Sequence, residues 1–294
     1  MIPPLPPPGP QPFRMLVLVV AYQAEATIAD VLSRLPRSLP GAQLEVLVLD
    51  DASTDATAER ARAVPLPMPV TVLRHPRNLG YGGNQKAGYR HALAHGFDAV
   101  ALLHGDGQYA PEALGRLAQP LLDGSADVVF GSRMMRPGDA LRGGMPRYKY
   151  VGNTVLSFLQ NALCRTRLSE FHCGYRLYAT AALRRAAFAR NSDGFSFDTE
   201  IILQMLSARQ RIVELPIPTH DGDEVCRVNG LPYAWQVLAA TLRWRLHRAG
   251  LLHDHRHGAR DGTHAADGAT LLGRLRRGAS GRGNLSPTPA PTRP

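Results

Sequence analysis

Apolar residues along this chain fall into short, nearly unbroken runs separated by longer stretches with helical spacing. Met15 to Val20, Leu44 to Leu49, Val70 to Leu73 and Ala99 to Leu103 are of strand length. A continuous run, as opposed to alternating apolar and polar positions, is the pattern of a strand buried on both faces. Between these runs, Glu25 to Leu35, Asp55 to Ala63 and Gln85 to His95 carry helix formers at helical spacing. The order βαβαβαβ predicts an α/β fold, a Rossmann-like, mostly parallel sheet flanked by helices. A fifth strand is expected at Asp127 to Phe130, followed by Gly131-Ser132-Arg133. The pattern then turns helical over Leu141 to Cys164, Gly194 to Ala208 and Leu231 to Arg248.

Composition sets the bounds. A chain of 294 residues with 44% hydrophobic content can bury a sizeable core as one domain with appendages. Its longest apolar run, Met15 to Tyr22, is far below the roughly 18 to 20 residues that span a bilayer, so no integral membrane segment is expected. The proline-rich start, Met1 to Pro12, lacks the charged and apolar regions of a secretory signal. A cytoplasmic protein is expected, free or at the inner face of the cell membrane. Cys164, Cys173 and Cys226 have no metal-type spacing and read as reduced, mostly buried thiols.

The net charge of +10 invites a nucleic-acid reading until it is located. Seven arginines against three aspartates place +4 of it between Asp254 and Pro294, in a Gly-, Pro-, Ala-, Arg- and His-rich tail. No base-stacking motif accompanies the charge, and nucleic acid is not an expected partner. The expected organisation is a disordered start over 1–13, the α/β domain over 14–230, an amphipathic helix over 231–250 and a disordered, removable basic tail over 251–294.

Ligands of open α/β sheets bind outside the carboxyl ends of the strands, which makes the residues closing each apolar run the candidates for chemistry. After the fourth run comes His-Gly-Asp-Gly-Gln, where Asp106 and Gln108 are placed to hold a hard cation with His104 beside them. Asp51 ends the second run: it either accepts hydrogen bonds from a nucleoside or, with Ser53 and Asp55, caps the next helix. Glycines 80, 82 and 83 either admit a ligand close to the backbone or simply join strand to helix. Arg133 could grip phosphate through two parallel N–H bonds. Asp198 either faces the cleft or caps a helix, and Arg176 is either near the site or paired with a carboxylate such as Glu200.

Taken in order, several segments resemble family 2 glycosyltransferases, most nearly the polyprenyl-phosphate sugar synthases, the branch that includes dolichyl-phosphate mannose synthase. They are Val-Val-Ala-Tyr-Gln-Ala-Glu-Ala-Thr-Ile (19–28), Leu-Asp-Asp-Ala-Ser-Thr-Asp (49–55), Asn-Leu-Gly-Tyr-Gly-Gly-Asn (78–84), His-Gly-Asp-Gly-Gln (104–108), Gly-Ser-Arg (131–133), Cys-Gly-Tyr-Arg-Leu-Tyr (173–178) and Phe-Ser-Phe-Asp-Thr-Glu-Ile (195–201). The resemblance covers roughly residues 14 to 230. It implies a GT-A fold, a nucleotide-sugar donor such as a UDP- or GDP-hexose, a divalent Mn²⁺ or Mg²⁺, and inversion at the anomeric carbon. It also implies residue roles: Tyr22 as an aromatic nucleotide contact, Asp51 at the nucleoside, Gly82 in the donor site, Asp106 at the metal and donor, and Arg133 at a phosphate.

Two departures stand out. Val20, Gln23 and Ala24 replace the family's usual proline, asparagine and glutamate, and the usual D-x-D reads His-Gly-Asp, which leaves Asp106 as the lone carboxylate. Imidazole suits Mn²⁺ or softer ions better than Mg²⁺. The implied activity is transfer of a hexose to polyprenyl phosphate, an anionic nucleophile that needs no strong base, with Arg133 and Asp198 as the catalytic candidates. Two alternatives are transfer to a saccharide hydroxyl in envelope or exopolysaccharide assembly, with Asp198 as base, and a non-catalytic nucleotide-sugar-binding relative. A lipid acceptor calls for peripheral membrane contact. Leu231 to Arg248, with Trp235, Trp244 and interspersed arginines, suits either a helix in the headgroup region or one docked on the protein itself.

Overall fold

The computed structural model describes residues 12–219 and 229–257. The expectations for 1–11, for Cys226 and for 258–294 lie outside the described residues. The elements run β1 (Phe13–Ala21), α1 (Ile28–Ser33), β2 (Ala42–Asp50), α2 (Thr57–Ala63), β3 (Val70–Arg74), α3 (Tyr81–Ala94), β4 (Ala99–His104), α4 (Leu114–Leu122), β5 (Val128–Ser132), α5 (Asp139–Arg142), α6 (Arg147–Cys164), β6 (Arg176–Ala179), α7 (Thr180–Leu183), α8 (Phe197–Ser207), β7 (Ile212–Pro216) and α9 (Gly230–Arg248).

Seven strands form one sheet in the order β3-β2-β1-β4-β6-β5-β7. All neighbours are parallel except β6, which runs antiparallel to both β4 and β5. Four of the five expected strands lie within longer ones and the fifth, expected over Asp127 to Phe130, is β5 shifted to Val128–Ser132, while β6 and β7 were not anticipated. Continuous apolar runs are explained by the two faces of β1. Met15, Val17 and Val19 join the core beneath α1 and α4, whereas Leu16, Leu18 and Val20 join the core beneath α3 and α8. Helix α3 lies so close that a side chain at Gly88 would meet Leu18 Cδ2 at 2.2 Å.

The reversed direction of β6 matters for function. Its first residue, Arg176, pairs with Leu102 of β4 and Phe130 of β5, so it lies toward the carboxyl edge of its parallel neighbours. Residues beginning β6 and residues ending β1, β2, β4 and β5 therefore line the same edge.

Of the two readings kept for the C-terminal helix, docking on the protein itself describes one side of α9: Val237, Ala240, Thr241 and Trp244 are buried, and Trp244 Nε1 donates to Ser207 Oγ of α8 at 2.8 Å. One expectation needs correction, because no dispensable tail begins at 251. Asp254 is buried, and Arg256 donates to Glu200 Oε1 of α8 at 2.7 Å and to Asp254 Oδ2 at 2.9 Å. Sparse apolar content suggested a solvated segment, but here charge pairing fastens it.

Candidate active site

The turns after β1 and β2 form one wall and are stitched to each other. The Gln23 N–H donates to Ser53 Oγ at 2.9 Å, Ala24 N–H to Thr57 Oγ1 at 2.8 Å, and Ala56 N–H returns to Glu25 Oε2 at 2.8 Å. Gln23 and Ala52 both occupy the left-handed region, with φ of 53° and 61°. Such backbone strain in non-glycine residues persists where surroundings over-determine it and tends to cluster at functional sites. Asp55 accepts from the Thr57 N–H and hydroxyl and from the Glu25 N–H, the local role that its position at a helix start suggests. Tyr22 emerges on this wall 40% exposed.

Asp51 is buried, and its two carboxylate oxygens accept the Leu79 N–H at 2.7 Å and the Gly80 N–H at 3.0 Å. Burial pushes its carboxyl above the usual range, although these two bonds oppose the rise. It therefore clamps the glycine turn and presents Tyr81, the next residue. Gly82 is closed off from ligand: a side chain there would meet Ser192 O at 2.5 Å and Phe197 Cβ at 2.7 Å. The close approach anticipated at Gly82 is to the protein's own 192–197 segment, which corrects its reading as a donor contact.

Tyr81 connects two of the predicted residues. Its hydroxyl donates to Asp198 Oδ2 at 2.8 Å and lies 3.0 Å from His104 Nε2. A phenol has one proton, and the carboxylate can only accept, so His104 Nε2–H must donate to the Tyr81 oxygen. Burial lowers the His104 pKa and keeps the ring neutral, which leaves the lone pair on Nδ1. Nδ1 faces Asp106 Oδ2 at 4.0 Å, too far for a hydrogen bond. The Tyr81 and Tyr109 rings hold the imidazole edge-on at centroid distances of 5.4 and 5.1 Å.

Asp106 is half exposed, and its Oδ1 accepts the Gln108 N–H at 3.1 Å. Among the described residues, no three His, Cys, Asp or Glu side chains converge to hold a metal unaided. An open site suits His104, Asp106 and Gln108 better, because divalent ions held by one or two protein oxygens complete their shell with substrate phosphates.

The two catalytic candidates are more heavily engaged than their sequence positions suggest. Asp198 accepts Gln85 Nε2 at 3.1 Å besides the Tyr81 hydroxyl, and Arg176 lies 3.7 Å away. Arg176 is itself buried and donates to the carbonyls of Cys173, Phe171 and Asp198. The carboxylate that Arg176 meets is thus Asp198, not Glu200. Arg133 is locked to Glu170: its Nε donates at 3.0 Å, its Nη2 also bonds the carboxylate, and its backbone N–H donates at 2.8 Å. Burial opposes the charge on Arg133, but Glu170 outweighs it and holds the guanidinium protonated. The fork expected to grip phosphate grips Glu170 instead.

Sequence reading missed Glu170, Tyr81, Tyr109 and Gln85. Tyr81 stood inside the 78–84 segment but was passed over for its glycines. Glu170 sits in an unpatterned stretch 37 residues from Arg133, and nothing local announces the pair.

Comparison with solved structures bears on the fold. Glucosyl-3-phosphoglycerate synthase from Mycobacterium tuberculosis, solved with Mn²⁺, uridine diphosphate and phosphoglyceric acid, superposes with a TM-score of 0.57 at 18% identity, over 82% of this chain and 80% of that one. The fold is GT-A. An undecaprenyl-phosphate mannosyltransferase of Micrococcus luteus is 31% identical over 207 residues, 69% of this chain and 82% of the relative. A polyprenol monophosphomannose synthase of Mycolicibacterium smegmatis is 28% identical over 69% of this chain and 76% of the relative. Residues 16–186, more than half of the chain, match the description Glycosyl transferase family 2. With the strand-edge site assembled on this sheet, the chain belongs to glycosyl transferase family 2.

Proposed function

We propose that this enzyme transfers a hexose from a nucleoside diphosphate sugar to polyprenyl phosphate with inversion at the anomeric carbon. The observation that carries the choice of acceptor is the state of the carboxylates. Asp51 is committed to the 79–80 backbone, Asp198 to Tyr81 and Gln85, Glu170 to Arg133, and Glu200 to Arg256 and the Ser192 N–H. A sugar hydroxyl needs a base to take its proton, whereas a phosphate monoester is already anionic near neutral pH. These engaged carboxylates favour the phosphate. They also favour single displacement, in which an acceptor oxygen bonds to the anomeric carbon as the bond to the nucleoside diphosphate breaks. The names of the Micrococcus and Mycolicibacterium relatives support the same acceptor class.

In this reading Tyr22 and Asp51 flank the nucleoside, and His104, Asp106 and Gln108 hold the divalent ion. The ion would neutralise charge developing on the departing pyrophosphate. Asp198 and Tyr81 fix the His104 ring so that Nδ1 faces outward, the supporting arrangement usual behind a metal-bound histidine. A nitrogen ligand biases the site toward Mn²⁺ over Mg²⁺. Arg133, neutralised by Glu170, shapes the far wall and does not act as the main phosphate ligand.

The decisive experiment follows labelled sugar from UDP- and GDP-hexoses to polyprenyl phosphate in detergent with Mn²⁺ or Mg²⁺, beside Asp106→Ala. Acid-labile, lipid-extractable label that vanishes in the variant is expected. An acid-stable product, or no transfer while nucleotide still binds, would overturn the acceptor assignment. Mn²⁺ binding read by loss of the free-ion electron spin resonance signal should weaken in His104→Ala, and His104→Asp should move the preference toward Mg²⁺.

A further inference from the structure

Helix α6 is inside out. Its buried positions, Asn153, Ser157, Gln160 and Cys164, are mostly polar. Asn153 Nδ2 donates to Glu170 at 2.7 Å, Ser157 Oγ accepts the Phe171 N–H at 3.3 Å, and Gln160 Nε2 reaches Thr241 Oγ1 of α9 at 3.3 Å. Its outward positions are Tyr148, Val151, Val155 and Phe158, spaced by three or four residues and 73%, 57%, 51% and 70% exposed. A helix on a water-facing surface has the opposite polarity. Polar residues turned to the protein and apolar residues turned out is the arrangement of helices whose surroundings are lipid. Beside it, α9 buries Val237 and Trp244 but leaves Trp235 75% and Leu242 49% exposed.

Charge identifies the occupant. Neither α6 nor α9 contains an aspartate or glutamate, while Arg147 and Lys149 open the first and Arg243, Arg245 and Arg248 close the second. A second copy docking through the same two-fold face would oppose cation to cation. An anionic headgroup layer matches the cations and receives the apolar side chains.

We propose that α6, with α9 beside it, docks on an anionic lipid bilayer. The purpose assigned to this face rests on the polyprenyl phosphate reading, but its geometry does not. The inner side of the same helices supports the site: Asn153 bonds Glu170, the partner of Arg133, and Tyr233 of α9 lies 2.8 Å from His172 Nδ1. A phosphate carried by the bilayer thus arrives next to the far wall of the cleft.

The test uses the full chain with phosphatidylcholine vesicles, with and without phosphatidylglycerol. Trp235 should be quenched by brominated acyl chains in the anionic vesicles, and Trp235→Phe should lose that quenching; buried Trp244 should contribute little. The pair Val151→Glu and Phe158→Glu, both at exposed positions, should lower the partition coefficient at least about tenfold, the scale of one large apolar side chain lost from a lipid contact. Its melting temperature and its transfer to a short, water-soluble polyprenyl phosphate should not change. Unchanged partitioning, no quenching, or a wild-type dimer in sedimentation velocity that the pair dissolves would overturn the proposal. Failure of transfer to the short acceptor would instead count against the acceptor assignment, so the two failures are distinguishable.

Discussion

The two halves of the molecule treat charge differently. In the first half, Arg14 meets Glu45 at 2.8 Å and Arg34 meets Asp30 at 3.0 Å and Glu112 at 2.6 Å, with side chains between 28% and 63% exposed. Beyond residue 130, three arginines pair with buried carboxylates: Arg133 with Glu170, Arg176 with Asp198 and Arg256 with Glu200. Exposed pairs contribute little, because water screens them and side-chain entropy opposes them. Buried pairs are expensive to desolvate and are weak devices for stability as such, yet removing one partner is severe. Their location explains their presence here. Glu170 fixes the far wall, Asp198 sits behind His104, and Glu200 accepts the Ser192 N–H beside the segment that packs on Gly82. The ion pairs that hold the site in place lie in the second half, although exposed pairs such as Arg211 with Asp127 occur there too, and the first half stands mainly on packed apolar strands.

The largest expected effect is therefore at Glu170. Glu170→Ala would leave Arg133 buried without its anion and strip Asn153 of an acceptor, and should cost about 3–5 kcal/mol in urea denaturation. A loss below about 1 kcal/mol would erase the distinction between the halves. Next comes the C-terminal segment. Ending the chain after 250 removes Arg256 from Glu200 and should cost about 1.5–3 kcal/mol, the worth of a hydrogen bond to a charged group. Ending it after 257 should change stability by less than about 0.5 kcal/mol. Arg256→Met in the full chain should reproduce most of the first loss, which separates the ion pair from the deletion itself.

The same contrast explains what could be read from the sequence. Strand runs such as Met15 to Val20 and Leu44 to Leu49 were legible because burial on both faces imprints itself locally. Asp51, His104, Asp106 and Gln108 could be placed at the strand edge from the sequence because each follows or ends an apolar run of a parallel strand, and ligand binding there is the expectation that the proposal carries. Arg133 and Asp198 were found as residues but not in their engagements, since the partners lie 37 residues away or on another element. Strand β6 was hidden by its length of four residues, and the facing of α6, though not the helix itself, by its polarity: a helix with polar residues inside gives a periodicity without telling which side faces in. Arg256 was assigned to a solvated tail because composition cannot register a single long-range pair.

Histidines sharpen the comparison at a smaller scale. Burial holds His172, next to Glu170, down at about 4, and it also holds His91 on α3 at about 4. Both are neutral in the fold, with folded values below the ordinary 6.5 of an unfolded chain. Between pH 6.5 and 4 the unfolded chain binds protons that the fold refuses, so stability present above 6.5 is lost as pH falls through this window. Each such group steepens the loss by at most about 1.4 kcal/mol per pH unit. His172→Asn and His91→Asn should each flatten the slope of unfolding free energy against pH between 6.5 and 4, and by similar amounts, because both rings are held at about 4. An unchanged slope in either variant would mean that its ring is not held neutral by burial in the fold.

The smallest effect tests the other side of the comparison. Glu45 lies on β2 with its carboxylate 2.8 Å from Arg14 Nη2, and both side chains are about a third exposed. Water can replace either partner, and Arg14 keeps a second acceptor in the His95 carbonyl at 2.8 Å, so the guanidinium is not stranded. Glu45→Ala should therefore cost no more than about 1 kcal/mol, and the loss should shrink further in high salt, where the Debye length falls to a few ångströms. Glu170→Ala should show no such relief, because salt does not enter the site where Arg133 is buried. Measuring both variants at low and high salt therefore tests the division by its screening as well as by its size. A salt-insensitive loss at Glu45 would place a buried pair in the half that has been assigned to apolar packing.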